Sequence, residues 1–139
     1  MKTVLFVCTG NTCRSPMAEA LFNHRAQALG MGWRAASAGL AAGGEPVSDE
    51  AQAALRAAGV PIPDRLSRQI TPRMLREADL VLCMTRAQQS ALGQALSGQK
   101  IGTLRAQDIQ DPYGKALDSY KSTMEQIQSA IEQLLGQLV

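Results

Sequence analysis

The N-terminal segment constrains the fold more than any other part of the chain. A run of apolar and β-branched side chains, Lys2 to Cys8, leads directly into the turn residues Thr9-Gly10-Asn11. Such a run is typical of a buried β-strand that ends at a tight turn. Ser15 and Pro16 then offer a side-chain oxygen for a helix N-cap and a proline where a helix tolerates one best. Helical spacing of apolar residues continues to Gly30, so the segment predicts the first half of a β-α-β unit.

Strand and helix signals alternate through the rest of the chain. Further strands are predicted at Trp33–Ala38, Asp79–Met84 and Ile101–Leu104. Helices are predicted to open at Ser48, Thr71 and Thr85, the last running to about Leu96, and a final one buries a stripe of six apolar residues: Tyr120, Met124, Ile127, Ile131, Leu134 and Leu138. The alternation predicts an α/β fold with a parallel sheet between two helical layers. At 139 residues, the chain suits one domain spanning residues 1–139.

Composition excludes several classes of function. The formal net charge is +2, too small to indicate a nucleic-acid partner. No apolar run approaches the roughly 20 residues that a membrane span needs. Three cysteines, an odd and sparse set, do not form a disulfide framework. We therefore expect a cytoplasmic monomer that binds neither nucleic acid nor membrane.

The first β-to-α turn has the composition of a phosphate cradle, a name used below for residues 8–15, Cys-Thr-Gly-Asn-Thr-Cys-Arg-Ser. Ligands of parallel sheets bind beyond the carboxyl ends of the strands, and backbone N–H groups at a helix N-terminus attract anions. Gly10 and Asn11 readily take left-handed conformations, and Arg14 offers a planar fork for two phosphate oxygens. The same surroundings would hold Cys8 as a thiolate, with Ser15 as a hydrogen-bond donor to its sulfur.

A second catalytic group is needed, because a leaving group departs as an anion unless it is protonated. The single histidine, His24, lies too far along the first helix to point back to the cradle. Asp111 precedes a proline in a loop after the last strand, on the same rim as the cradle, and Asp108 is the fallback. The alternative to a phosphate site is that the Cys-x5-Arg spacing occurs here by chance. A nucleotide-binding Gly-Lys-Ser/Thr loop is absent, since Gly114-Lys115 is followed by alanine.

Four motifs in order make the chain resemble the low-molecular-weight protein tyrosine phosphatases over essentially its whole length: Val7 to Glu19, Ser37-Ala38-Gly39, Ala78 to Leu82 and Asp111-Pro112-Tyr113. The resemblance implies a three-layer α/β/α fold with a four-stranded parallel sheet of order 2-1-3-4, similar to flavodoxin-like and Rossmann-like folds. It also implies a phosphocysteine intermediate, a phosphorylated protein as substrate, and neither a metal nor a cofactor.

The resemblance assigns roles by position. Cys8 is the nucleophile, Arg14 binds phosphate and stabilises the transition state, and Asp111 is the general acid and then the base. The cradle residues from Thr9 to Ser15 bind phosphate, while Asn11, Ser15 and Ser37 support the loop. Cys13 corresponds to a cysteine that forms a reversible disulfide with the nucleophile in relatives, and otherwise is a small packing residue.

Two departures from the tyrosine-specific members bear on the substrate. Their cradle usually has isoleucine where this chain has Thr12, and their loop after Ser-Ala-Gly usually has an aromatic residue, absent from Leu40 to Pro46 here. Tyr113 is then the one aromatic residue left to pack against the ring of a phosphotyrosine. The Thr-Gly-Asn-Thr sequence resembles the bacterial protein arginine phosphatase branch, and a hydroxyl at position 12 suits a polar guanidinium better than a branched alkyl group. We therefore predict phosphoarginine as substrate, with phosphotyrosine as the alternative.

Two rivals come from other classes. Arsenate reductases share the fold and the cradle but need further cysteines to relay electrons, and the remaining Cys83 is predicted inside a strand. A non-catalytic phosphate-binding module needs neither a thiolate nor Asp111.

Overall fold

A computed structural model describes residues 1–95 and 101–138. The elements are, in chain order, β1 (Lys2–Cys8), α1 (Arg14–Ala28), β2 (Trp33–Gly39), α2 (Asp49–Ala57), α3 (Pro72–Glu77), β3 (Leu80–Cys83), α4 (Arg86–Ala95), β4 (Ile101–Thr103) and α5 (Leu117–Leu138). Strands and helices alternate as the sequence predicts. The predicted end of α4 at Leu96 lies outside the described residues.

The four strands form one parallel sheet in the order β2-β1-β3-β4. Val7 of β1 lies opposite Ala38 of β2 and Cys83 of β3, so three strands end at the same level. Because β2 lies on one side of β1 and β3 on the other, the strand order reverses between β1 and β3, and α/β sheets bind ligands at such a switch point. The α/β class and the predicted strand order are confirmed.

Two apolar clusters hold helices to the two faces of the sheet. The larger cluster joins α1, α2 and α5 to the sheet through fully buried side chains that include Phe6, Phe22 and Ile127. The smaller cluster joins α3 and α4 to the other face through Leu75, Val81 and Leu92. The apolar stripe of α5 is buried from Tyr120 to Leu134 and half-buried at Leu138, which confirms core packing. No helix in the described ranges has the length and apolar composition that a membrane span requires.

The sequence prediction of the α1 N-cap was wrong. The helix begins at Arg14 with Cys13 as its N-cap, and no side chain caps it. Ser15 lies inside the first turn, where its hydroxyl contacts Cys8 and Asn11 instead of the helix backbone. Pro16 still falls in the first turn, where its missing N–H costs nothing.

The carboxyl end of β2 packs against the turn after β1. The backbone of Leu40 donates to Cys8 O (3.0 Å) and that of Ala41 to Thr9 O (2.9 Å). A Cβ added to Gly39 would lie 2.6 Å from Thr9 O and 3.1 Å from Asn11 N. Only glycine allows the two segments to approach this closely.

We expect Gly39→Ala to lower the free energy of unfolding by about 1–3 kcal/mol, because the added methyl group overlaps a backbone oxygen. Urea unfolding measures the change. Gly136→Ala is the matched control, since nothing lies within 4 Å of a Cβ there and alanine favours a helix. Equal effects at the two positions would contradict the close approach.

Candidate active site

A pocket of about 220 Å³ opens at the carboxyl end of β1. The cradle forms its floor, and the rest of its wall comes from two loops, one after β2 and one before α5. The lining residues are Cys8, Thr9, Gly10, Asn11, Thr12, Cys13, Arg14, Ala41, Gly43, Glu45, Asp111 and Tyr113. The structure thus brings Asp111 and Tyr113 to the same pocket as the cradle.

The sulfur of Cys8 lies at the floor of the cradle, and the residue is 2% exposed. The backbone N–H of Asn11 donates to Cys8 Sγ at 3.2 Å, and Ser15 Oγ lies 2.9 Å from the same sulfur. The Nδ2 group of Asn11 donates to Ser15 Oγ at 2.8 Å, which leaves the Ser15 hydrogen directed at the sulfur. Two hydrogen-bond donors therefore point at the sulfur.

Arg14 is a buried cation with unused donor capacity. Its Nη1 group donates to the carbonyl oxygen of Ile109 at 3.0 Å, and its Nη2 lies 3.5 Å from Asp111 Oδ2. The side chain is only 6% exposed, and its buried Nε atom has no hydrogen-bond partner among the residues described. A buried guanidinium N–H without an acceptor is costly, so an anion in the cradle would satisfy it.

The carboxyl group of Asp111 is held above the cradle by three contacts. The backbone N–H of Tyr113 donates to Asp111 Oδ1 at 3.0 Å, and the thiol of Cys13 lies 3.8 Å from the same oxygen. The third contact is the ion pair with Arg14. The side chain is 52% exposed, so it reaches both the pocket and solvent. This placement suits a group that exchanges protons with a bound ligand and with water.

Asn11 has a left-handed backbone conformation, with φ at 57°, and it is the one non-glycine residue of the described chain with positive φ. Its side chain fixes that conformation. Nδ2 donates to Ser15 Oγ and, at 3.0 Å, to Ser37 Oγ, while Oδ1 accepts from the Arg68 backbone at 3.0 Å and from Arg65 Nη1 at 3.2 Å. The three predicted support residues, Asn11, Ser15 and Ser37, are thus joined directly.

Arg65 and Glu19 complete this network, and sequence reasoning missed both roles. Arg65 Nη2 forms an ion pair with Glu19 Oε1 at 2.5 Å and contacts the Ser37 hydroxyl. Ser37 Oγ also donates to Glu19 at 2.7 Å. The Glu19 and Arg65 side chains are 13% and 21% exposed. Glu19 lies one helical turn after Ser15, but nothing local marks Arg65, which comes from the loop between α2 and α3.

Three polar residues do not line the pocket, namely Gln88, Asp108 and His24. Gln88 is buried, and its side-chain oxygen accepts from the backbone N–H groups of Met84 and Thr85. Its side-chain nitrogen donates to Thr9 Oγ1 at 3.1 Å, and this bond links the cradle to α4. Asp108, the fallback acid, accepts from the backbone N–H of Arg86 at 2.9 Å and so caps α4. His24 is exposed on α1, as expected.

The two remaining cysteines are buried thiols. Burial, together with the neighbouring Cys8 and Asp111, raises the pKa of Cys13 to about 12. Burial likewise raises the pKa of Cys83 to about 12, with a contribution from Cys8. Both thiols stay protonated at neutral pH, so neither is a nucleophile in the resting protein. All three cysteines are free.

We expect Arg65→Met to lower the free energy of unfolding by about 3 kcal/mol, because it leaves the Glu19 carboxylate nearly buried without its cation. The double variant with Glu19→Gln should lose less than the sum of the single variants. Urea unfolding of the four proteins measures the coupling. Arg73→Met is the control, since the Arg73–Glu77 pair is exposed and its loss should leave the midpoint unchanged. Additive losses at Arg65 and Glu19 would contradict the network.

Comparison with known proteins gives the same family as the motifs. The family described as low molecular weight phosphotyrosine protein phosphatase matches residues 3–139. A protein-arginine-phosphatase of Bacillus subtilis (strain 168) is 35% identical over 97% of this chain and 95% of its own length. A low molecular weight protein tyrosine phosphatase from T. tengcongensis has a crystal structure with a TM-score of 0.95 and 40% identity, covering 99% of this chain and all of that one. A solved YwlE arginine phosphatase variant, with a phosphorylated active-site serine in place of cysteine, has a TM-score of 0.93 and 34% identity over 98% and 95% of the two chains. The chain therefore belongs to the low-molecular-weight phosphotyrosine protein phosphatase family and is a phosphatase.

Proposed function

We propose that this phosphatase is metal-independent, acts through a phosphocysteine at Cys8 and removes phosphate from phosphoarginine in proteins. One observation carries the proposal: Cys8, Arg14 and Asp111 line the same small pocket, and Arg14 Nε has no hydrogen-bond partner among the described residues. A phosphate bound there would accept from Arg14 and from the backbone N–H groups of the cradle.

In the first step, the Cys8 thiolate attacks phosphorus and the bond from phosphorus to the guanidine nitrogen breaks. The electron pair of that bond stays on nitrogen, and protonated Asp111 supplies the proton that the nitrogen gains. Arg14 and the cradle N–H groups stabilise the charge that develops on the phosphate oxygens. The products are phosphocysteine, the arginine side chain and ionised Asp111.

In the second step, Asp111 takes a proton from a water molecule, whose oxygen attacks phosphorus. The bond from sulfur to phosphorus breaks, inorganic phosphate leaves, and Cys8 regains its thiolate. The hydroxyl of Ser15, 2.9 Å from the sulfur, stabilises the sulfur as it departs. The same Asp111 therefore serves as acid and then as base.

The pocket wall supports the choice of phosphoarginine. Thr12 lines the pocket with a hydroxyl-bearing side chain, and the loop after β2 contributes Ala41, Gly43 and Glu45 in place of an aromatic wall. Tyr113 lines the pocket and is 68% exposed, so its ring supports phosphotyrosine as the second candidate. Each aromatic contact is worth about 0.5–1.5 kcal/mol beyond area burial, so a single wall gives a weaker preference for a phenyl ring than two.

The two cysteines other than the nucleophile bear on regulation and on the rival reductase activity. Cys13 is the redox candidate: a peroxide would oxidise Cys8 to a sulfenic acid, which would condense with the Cys13 thiol to a disulfide and release water. Cys83 is fully buried in β3, which disfavours the electron relay of an arsenate reductase. We further propose a cytoplasmic monomer whose partner is a phosphorylated protein, with no nucleic-acid or membrane partner.

We expect steady hydrolysis of p-nitrophenyl phosphate in the presence of EDTA, and its loss in Cys8→Ser. Asp111→Asn should slow substrates with poor leaving groups most, because these depend on protonation in the first step. Initial rates across a series of aryl phosphates measure the difference. Equal losses across the series would exclude Asp111 as the acid, and stoichiometric phosphate binding without product would favour a non-catalytic module.

We expect wild-type enzyme to prefer a phosphoarginine peptide over a matched phosphotyrosine peptide, and Thr12→Ile to shift the ratio of their kcat/KM values several-fold toward phosphotyrosine. Thr12→Val separates the two properties of threonine, since valine keeps the shape and removes the hydroxyl. If the hydroxyl recognises the guanidinium, the valine variant shifts the ratio as well. An unchanged ratio in both variants would reject Thr12 as a specificity residue.

A further inference from the structure

Glu45 places a carboxylate in the wall of the catalytic pocket, and neither the motifs nor the mechanism uses it. The residue is exposed, and its carboxylate has no hydrogen-bond or ion-pair partner among residues 1–95 and 101–138. A Cβ added to Gly43 would lie 3.2 Å from Glu45 Oε1, so the carboxylate occupies the space that a side chain at position 43 would take. This loop thus contributes an acidic residue to the wall, beside Ala41 and Gly43.

The backbone of Glu45 is held rigidly with respect to the cradle. Its N–H donates to Ser67 Oγ at 2.8 Å, and its carbonyl accepts from the Ser67 backbone at 2.6 Å. The same loop is bound to the cradle at both ends, since Leu40 donates to Cys8 O at 3.0 Å and Ser48 donates to Thr12 O at 2.9 Å. The loop and the cradle therefore form one frame, which fixes where the Glu45 side chain starts relative to the sulfur.

We propose that Glu45 is a specificity-determining residue, whose carboxylate accepts hydrogen bonds from the guanidinium group of the phosphoarginine substrate. This inference rests on the proposed function of the pocket. A phosphorylated guanidinium keeps several N–H donors beyond the nitrogen that bears phosphate, and a planar set of such donors matches a carboxylate. The phenyl ring of phosphotyrosine offers none and would lie beside an unpaired charge.

A second carboxylate suits the guanidinium group because Asp111 already serves as the acid. Asp111 holds a proton until the bond from phosphorus to nitrogen breaks, so before that point it is a poor partner for a cation. Glu45 takes no part in the proton transfer and keeps its charge throughout. The proton that Asp111 gives to the departing nitrogen keeps the arginine side chain cationic as it leaves, and Glu45 stabilises that cation at the mouth of the pocket. A departing phenol gains no such stabilisation.

The test compares Glu45→Gln, which removes the charge and keeps the shape, with wild-type enzyme on free phosphoarginine and on matched phosphoarginine and phosphotyrosine peptides. We expect the ratio of kcat/KM for phosphoarginine to that for phosphotyrosine to fall about three- to tenfold, the scale of a charged hydrogen bond discounted for exposure. Free phosphoarginine should show the same loss as the peptide. Glu125→Gln, an exposed carboxylate on α5, is the control for net charge and should leave the ratio unchanged.

A ratio within twofold of wild type in Glu45→Gln would overturn the inference. A loss confined to peptides, absent with free phosphoarginine, would also overturn it, because Glu45 would then contact a flanking residue of the substrate. The proposed function fails separately, if wild-type enzyme prefers phosphotyrosine. In that case the shift of the ratio in Glu45→Gln still decides whether the carboxylate favours a guanidinium.

Discussion

The Asn11 side chain joins the turn after β1 to three other segments, and the geometry around Cys8 depends on those bonds. A left-handed backbone at a non-glycine residue is unfavourable unless its surroundings enforce it. Here the amide oxygen accepts from the 65–68 segment, and the amide nitrogen donates to Ser15 and Ser37. With Asn11 held in this conformation, its own N–H points at the Cys8 sulfur.

The same bonds also set the direction of the hydroxyl groups. Donors on Arg65 and on the Arg68 backbone fix which end of the Asn11 amide is oxygen, so the nitrogen must face the two serines. Each serine oxygen then accepts from Asn11, and its own hydrogen is free for another acceptor. Ser37 donates to Glu19, and Ser15 is left to donate to Cys8. Arg65 and Glu19 are therefore linked to the sulfur through a chain of oriented hydrogen bonds.

Local sequence was sufficient to predict the floor of the pocket, because the strand, the cradle and α1 are contiguous. Asp111 was predictable from topology, since loops after parallel strands meet on one rim. Arg65 and Glu45 were not, because they lie in loops with no periodic pattern, and only tertiary hydrogen bonds bring them to the cradle. The Ser15 N-cap was predicted wrongly for a related reason: a serine before a proline suits a cap, and local pattern cannot reveal that Cys8 and Asn11 compete for its hydroxyl.

The floor and the mouth of the pocket differ in how freely their side chains can be substituted. On the floor, Asn11 and Ser15 are buried and contact both Cys8 and each other, so a substitution at either residue disturbs the position of the sulfur as well as its own contact. At the mouth of the pocket, Glu45 and Tyr113 are exposed lining residues whose side chains the proposed mechanism does not use. The loop that carries Glu45 is bonded to Cys8, Thr12 and Ser67 through its own main-chain groups, so those bonds do not depend on the Glu45 side chain. In the proposed mechanism, one rigid floor can therefore serve substrates of different leaving-group chemistry, and a few exposed side chains at the mouth make the choice.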